Sequence, residues 1–427
     1  MIMKNIIIVL GVLIFALLIG CGNSKKEQYQ KLVKPHKEIL KESSHYIYYL
    51  PKESSQLKGI IIVMDPHSKP RLVVDSLHDF ADANSLAILG LKDIKNGISN
   101  YQDIIKRDLG HFRKFKKLKP QKIYLVGFSG AARMALLYAN RNKIDGLVLV
   151  GAGANRQSQM PFPTVLVAGT RDFNFLEQYY SPKDKKSFER NRIAIHYRGK
   201  HQWPPINVLE DAIVFAISRG HIDNDDLAKK YEEKSKKYLK EGNIYLSVKA
   251  METAYKLSIN ENIGSRKKEF IKLISQKKVA RYFTKLDKYI KEEYGRYQEM
   301  SNYLKNKDIK WWTNQINYYD SKAASKKNLI AADSYARTKA YLGILVYSRL
   351  NATIAGRGQY SLIPKYFAIY EIIAPQNPDY YFFKGVYAYT QGSESDALKY
   401  IEKAKEYGFT NDVKISKYFP RAFVEKL

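Results

Sequence analysis

Over the first half of the chain, short apolar and β-branched runs alternate with helix-spaced stretches; the runs fall at 46–50, 59–65, 86–91, 122–128, 146–151, 164–168 and 192–197. In Ile60-Ile61-Ile62-Val63-Met64 every position is apolar. A strand with one wet face would alternate, so this one is covered on both faces, as in a mostly parallel sheet between helices. An α/β domain is therefore predicted over 44–220. From 221 onward strand-like runs vanish, Lys, Tyr and Ala rise, and helical spacing holds to the C-terminus, which predicts an all-α domain over 221–427. The polar stretch His221-Ile222-Asp223-Asn224-Asp225-Asp226 marks the change and carries acids suited to a helix N-terminus.

Within the helical part, Ser235, Gly242, Ser247 and Ala254 lie 7, 5 and 7 residues apart, and Gly385, Gly392, Ala397 and Ala404 repeat that spacing. Small residues at these intervals let two antiparallel helices cross closely, with a Gly at the turn between them. Together with Pro375-Gln376-Asn377-Pro378-Asp379, whose first residue stands ten before Gly385, the pattern resembles the tetratricopeptide repeat. That resemblance implies a protein partner for the helical domain. Residues of about 265–360 are helical without a clear repeat, and Trp311-Trp312 there reads as core packing.

The N-terminus has a basic Lys4 and an apolar stretch over 6–19, shorter than the roughly 20 residues a spanning helix needs. It reads as a signal-peptide core. Leu18-Ile19-Gly20-Cys21 resembles the lipobox of bacterial lipoproteins. The resemblance implies removal of 1–20, lipidation of Cys21, a lipid-anchored tether over 21–43, and a place in the bacterial cell envelope facing the periplasm or the exterior. Two or more acyl chains suffice for stable anchoring. Cys21 is the chain's single cysteine, which excludes an internal disulfide and a Cys-based zinc site.

The formal charge of +30, from 72 Lys+Arg against 42 Asp+Glu, is divided almost evenly between the two halves of the chain. A spread charge on an exported chain makes no nucleic-acid footprint. The densest cluster, Arg113-Lys114-Phe115-Lys116-Lys117-Leu118-Lys119, suits the C-terminal end of a helix and an anionic surface such as lipid.

The candidate chemistry lies in the α/β part. Gly127-Phe128-Ser129-Gly130-Ala131 sits between a strand at 122–126 and a helix at 131–139. It resembles the Gly-x-Ser-x-Gly nucleophile elbow of α/β-hydrolases, with Ala131 in place of the last Gly. A tight turn there strains the Ser and exposes its hydroxyl, while the helix N-terminus points amides at a developing oxyanion. The resemblance implies an acid and then a His further along. Asp172 follows a buried strand at 163–169 and is chosen over Asp184 in the charged run 183–186. His201 lies in a loop past the next strand, whereas His196 lies within that strand and reads as packed or surface.

The loop His201-Gln202-Trp203-Pro204 resembles the Gly-Gly-His-x-Trp-Pro loop of polyhydroxybutyrate-depolymerase-like and dienelactone-hydrolase-like esterases, with Lys200 replacing the second Gly. The resemblance implies Ser129, Asp172 and His201 as a catalytic triad in a compact domain with no room for a large lid. It places one oxyanion donor at the Gly130 amide and the other on Asp65-Pro66-His67-Ser68. Pro66 has no N–H, so His67 or Ser68 supplies that amide. No nucleotide fingerprint or metal-ligand cluster is present in the sequence, and no cofactor or metal is expected. The expectation is a membrane-anchored serine carboxylesterase acting on an ester. The alternative is a non-catalytic envelope lipoprotein whose eroded hydrolase domain and repeats act as a scaffold.

Overall fold

The computed structural model describes residues 40–427 apart from 53–56, 117, 119–121, 154–159, 185–188, 190, 219–224, 259–261 and 411. Cys21, the expected signal peptide and most of the expected tether lie outside the described residues. The first elements are β1 (Lys41–Glu42), β2 (Tyr46–Tyr49), β3 (Gly59–Met64), α1 (Arg71–Ser76), α2 (His78–Asn84), β4 (Leu86–Leu91) and α3 (Tyr101–Phe115). They continue with β5 (Lys122–Phe128), α4 (Ser129–Ala139), β6 (Gly146–Val150), β7 (Thr164–Gly169), α5 (Phe175–Gln178), β8 (Arg192–Tyr197) and α6 (Ile206–Ser218).

The eight strands form one sheet in the order β1-β2-β4-β3-β5-β6-β7-β8. β1 and β2 run antiparallel at one edge, and every pairing from β4 to β8 is parallel. This is the α/β-hydrolase arrangement that the apolar runs and the elbow predicted. The all-apolar β3 is central and fully buried. Its Ile60, Ile62 and Met64 pack on one side with Ile105 and Phe112 of α3 and Ala131 and Ala135 of α4. Ile61 and Val63 pack on the other with Val74 of α1 and Ile213 of α6. Parallel strands connected by helices are covered twice, and each covered side chain of this size contributes about 1.5–3 kcal/mol.

Helices follow to the C-terminus. They begin with α7 (Asp225–Lys240), α8 (Ile244–Leu257), α9 (Asn262–Ser275) and α10 (Lys277–Asn306). The change of composition near 221 is where strands stop, but the compact unit built on the sheet runs on to Ile290. The reason is α8, in which every residue is buried. Its Ala250, Ala254 and Leu257 share a core with Val165, Val167, Ile193 and Ile195 of β7 and β8, adding to the cover that α6 gives this end of the sheet.

Three charged side chains on α8 are buried with it. Glu252 accepts from Lys249 at 2.9 Å, from Lys256 at 2.7 Å and from the Tyr180 hydroxyl at 2.7 Å. Lys256 also donates to the Arg192 carbonyl at 2.8 Å, and the Lys249 ammonium lies 3.5 Å from the centre of the Tyr180 ring. Breaking such a buried pair leaves an uncompensated charge and is strongly destabilising. α7 is held to α6 by Lys230 and Lys234, which grip Asp211 at 2.7 and 3.0 Å.

A second compact unit covers Lys291–Leu427. It holds α11 (Ile309–Ala323), α12 (Leu329–Ile354), α13 (Ile363–Ile373), α14 (Pro378–Thr390), α15 (Glu394–Glu406), α16 (Asp412–Tyr418) and α17 (Arg421–Val424). Trp312 is fully buried there among Leu342, Leu345 and Ile369, and Arg337 grips Glu293 through two bonds of 2.8 and 2.7 Å.

The two sets of small residues fall on two helix hairpins, α7–α8 and α14–α15. In the first, the Ser235 and Ser247 hydroxyls meet at 3.2 Å. In the second, a Cβ on Gly385 would come within 2.7 Å of Ile401. The connecting glycines, Gly242 and Gly392, have φ of +75° and +81°, a conformation other residues adopt at a cost. Among the described residues no helix is long and apolar enough to cross a membrane.

Two outcomes are expected. A fragment of residues 40–220 aggregates because the face under α8 is bare, whereas residues 40–290 stay soluble with a cooperative melt; gel filtration and circular dichroism distinguish them. Burial also pushes the Lys249 ammonium from its ordinary 10.5 down to about 8, against the attraction of Glu252. Between those values the folded chain has released a proton that the unfolded chain keeps, so stability rises with pH in that window. Denaturant midpoints of the native chain should therefore gain on those of Lys249→Met as pH climbs from 8 toward 10.5.

Candidate active site

The turn from β5 into α4 puts Ser129 at φ 54°, one of three non-glycine residues with positive φ among those described. Such a conformation is uncommon for a residue with a Cβ and persists only where its surroundings over-determine it. Here they do so by close approach. A Cβ on Gly127 would lie 2.7 Å from the Ala132 Cα, so the strand and the returning helix meet without room for a side chain. Ala131 and Ala132 are fully buried, and the methyl of Ala131 fits where the motif has its last Gly.

The Ser129 Oγ lies 2.7 Å from Nε2 of His201, and Nδ1 of His201 lies 2.9 Å from Oδ1 of Asp172. Asp172 stands in the turn after β7, and the same Oδ1 accepts the Asn174 amide at 2.8 Å. The His201 ring is flanked by Phe173 at 4.3 Å and Phe128 at 4.8 Å between centroids. Gly151, at φ +61°, passes so close that a Cβ there would lie 3.0 Å from His201 Cε1 and 3.1 Å from Asp172 Oδ2.

The structure thus brings Ser129, Asp172 and His201 into one hydrogen-bonded chain and leaves their rivals outside it. His196 is buried in β8 with its Nδ1 2.7 Å from the Tyr245 hydroxyl, and Asp184 is exposed in a turn. One expectation needs revising: the Ser129 hydroxyl is not presented at an open surface. Ser129 is 0% and His201 8% exposed, because the His201 bond and its flanking rings occlude what the turn presents.

The loop after β3 is equally ordered. The His67 amide donates to Oδ1 of Asp65 at 2.8 Å, and the Ser68 amide to the Asp65 carbonyl at 3.2 Å. Both candidate second donors are therefore already engaged within the loop. Ser68 sits at φ 59° with its hydroxyl on the Ile94 carbonyl at 2.8 Å, and Asn96 donates to the Pro66 carbonyl at 2.9 Å. Gly130 lies in the first turn of α4, where leading amides have no intrahelical acceptor.

Asp65 itself was not singled out from the sequence. It is 4% exposed, and its Oδ2 accepts the Trp203 indole N–H at 2.8 Å. Burial pushes its carboxyl up, but the hydrogen bonds and charge of His67 and the indole bond outweigh burial and hold it below the usual carboxylate range. The only signal was that both partners stand in short motifs; their pairing across the fold was not readable. Among the described residues no cluster of His, Cys, Asp and Glu could hold a metal ion.

The strand order, the elbow and the sequence of Ser, Asp and His after β5, β7 and β8 define an α/β-hydrolase fold. No protein-family model matches the chain, and no curated protein matches it. Solved structures similar to it include a soluble variant of monoglyceride lipase from Saccharomyces cerevisiae, at 10% identity over 44% of this chain and 97% of that one, with a TM-score of 0.30. Est1E from Butyrivibrio proteoclasticus is 12% identical over 41% and 94%, with a TM-score of 0.28. The fluorophosphonate-binding serine hydrolase F of Staphylococcus aureus is 13% identical over 47% and 96%, with a TM-score of 0.32.

Gly151→Ala tests the tightness of the site directly. The positive φ and the close approach to His201 and Asp172 should together cost about 1–3 kcal/mol, read as a lower urea midpoint; an unchanged midpoint would mean the loop yields freely.

Proposed function

We propose that this chain is a serine hydrolase, in the first instance a carboxylesterase, and that Ser129, His201 and Asp172 are its nucleophile, base and orienting acid. The observation that carries the reading is the Ser129–His201–Asp172 chain of 2.7 and 2.9 Å bonds, with the Ser held at positive φ. His201 Nε2 takes the hydroxyl proton as Oγ attacks the ester carbonyl, and Asp172 stabilises the imidazolium. The tetrahedral intermediate collapses with loss of the alcohol, which receives its proton from His201. Water, deprotonated by the same imidazole, then releases the acid and regenerates Ser129. The Gly130 amide serves the oxyanion. A second amide from this loop requires the His67 N–H to exchange the Asp65 carboxylate for the substrate oxygen.

The enzyme is read as a bacterial envelope lipoprotein, tethered to a membrane through lipidated Cys21 and facing the periplasm or the exterior. The helical hairpins with tetratricopeptide-like spacing are read as a protein-binding part. Export and evenly spread charge support the absence of a nucleic-acid partner. The second reading, a scaffold that has lost catalysis, is favoured by the engaged amides of His67 and Ser68.

Hydrolysis of short-chain 4-nitrophenyl esters separates the two. The native chain should turn them over, Ser129→Ala should abolish turnover without changing the melt, and His201→Ala should lower it by roughly three or more orders of magnitude. A folded native chain with no more than the background rate favours the scaffold. For the anchor, Cys21→Ser should move the protein from the membrane to the soluble fraction or block its processing; unchanged fractionation with an unmodified N-terminus argues against it.

A further inference from the structure

The active site is assembled from loops far apart in the chain, and one buried carboxylate spans two of them. Asp65 closes β3, and its Oδ1 takes the His67 amide at 2.8 Å while Oδ2 takes the Trp203 indole N–H at 2.8 Å. Trp203 stands two residues beyond His201 in the same loop, and its ring packs on Phe128 at 5.3 Å. Phe128 in turn packs on the His201 ring at 4.8 Å and immediately precedes Ser129. Nothing in Ser–His–Asp chemistry requires an acid at position 65, and a buried carboxylate is costly unless its oxygens are satisfied. Both oxygens are satisfied here, by the β3 loop on one side and the His201 loop on the other.

We propose that Asp65, with Trp203 as its partner, is a positioning residue that ties the His201 loop to the β3 loop and so keeps Nε2 of His201 on the Ser129 hydroxyl. The inference rests on the hydrolase reading above. Asp65 touches neither the Ser129 hydroxyl nor the proton in transit; it acts through Trp203 and Phe128. Removing the indole N–H leaves Oδ2 buried and unbonded and lets the His201 loop drift. Misplacement by about 1 Å costs on the order of a hundred-fold in turnover.

The test is kcat and KM for 4-nitrophenyl acetate in the purified chain and in Trp203→Phe, Asp65→Asn and the double variant, with melting temperatures measured alongside. Trp203→Phe keeps an aromatic ring on Phe128 and decides the question alone if Asp65→Asn does not fold. The expected result is a ten- to hundred-fold fall in kcat in each single variant, KM within about two-fold, and a double variant no slower than the slower single. Native turnover that depends on Ser129 but is unchanged in folded Trp203→Phe overturns this inference alone. So does a double variant whose loss is the product of the single losses, or activity that returns fully when the assay is cooled below the variant's melt. A native chain that does not turn over the ester removes the hydrolase reading and this inference with it.

Discussion

A sheet that is apolar on both faces has to be covered on both, and most of this fold follows from that requirement. β3 presents Ile60, Ile62 and Met64 to one side and Ile61 and Val63 to the other, so its neighbours run parallel and its connections are helices laid alternately above and below. The same requirement reaches past the last strand. α6 covers only part of the apolar surface of β8, and α8 covers more of it at the expense of burying Lys249, Glu252 and Lys256. A fully buried helix carrying three charged side chains is tolerable because the charges satisfy one another and Tyr180. The helices that begin the all-α region thereby belong to the sheet's core.

Parallel strands also end on a common edge, and the candidate site gathers there. The loops after β3, β5, β6, β7 and β8 contribute Asp65, Ser129, Gly151, Asp172 and His201, which meet although they are scattered over more than a hundred residues of chain. The elbow stores strain at Ser129, the rings of Phe128 and Phe173 restrict the His201 imidazole, and Gly151 leaves the room that ring needs. The Trp203 indole bond to Asp65 joins the loops after β3 and β8. What results is an occluded serine whose hydrogen-bond partners have little freedom of orientation.

The parts of this arrangement that were legible in the sequence are those written locally. Apolar and β-branched runs marked β2 to β8, and the small residues around Ser129 marked the elbow. The order of strand ends after it selected Asp172 and His201 over Asp184 and His196. Contacts between distant segments left no local trace. The pairing of Asp65 with Trp203 joins residues 138 positions apart, and the engagement of the His67 and Ser68 amides depends on how one loop turns back on itself. Composition placed a change near 221 because strands end there, yet it could not reveal that α8 completes the sheet's core, since its apolar face reads the same whether it meets another helix or a strand.

On the proposed reading, Ser129 is an activated nucleophile. A fluorophosphonate reacts with a serine only when its hydroxyl is activated, and it leaves a covalent mark that can be located. The native chain should form a one-to-one adduct that peptide mapping by mass spectrometry assigns to Ser129, at a rate that falls steeply in His201→Ala. A folded chain that forms no adduct, or one that carries the adduct on another residue, would contradict the claim.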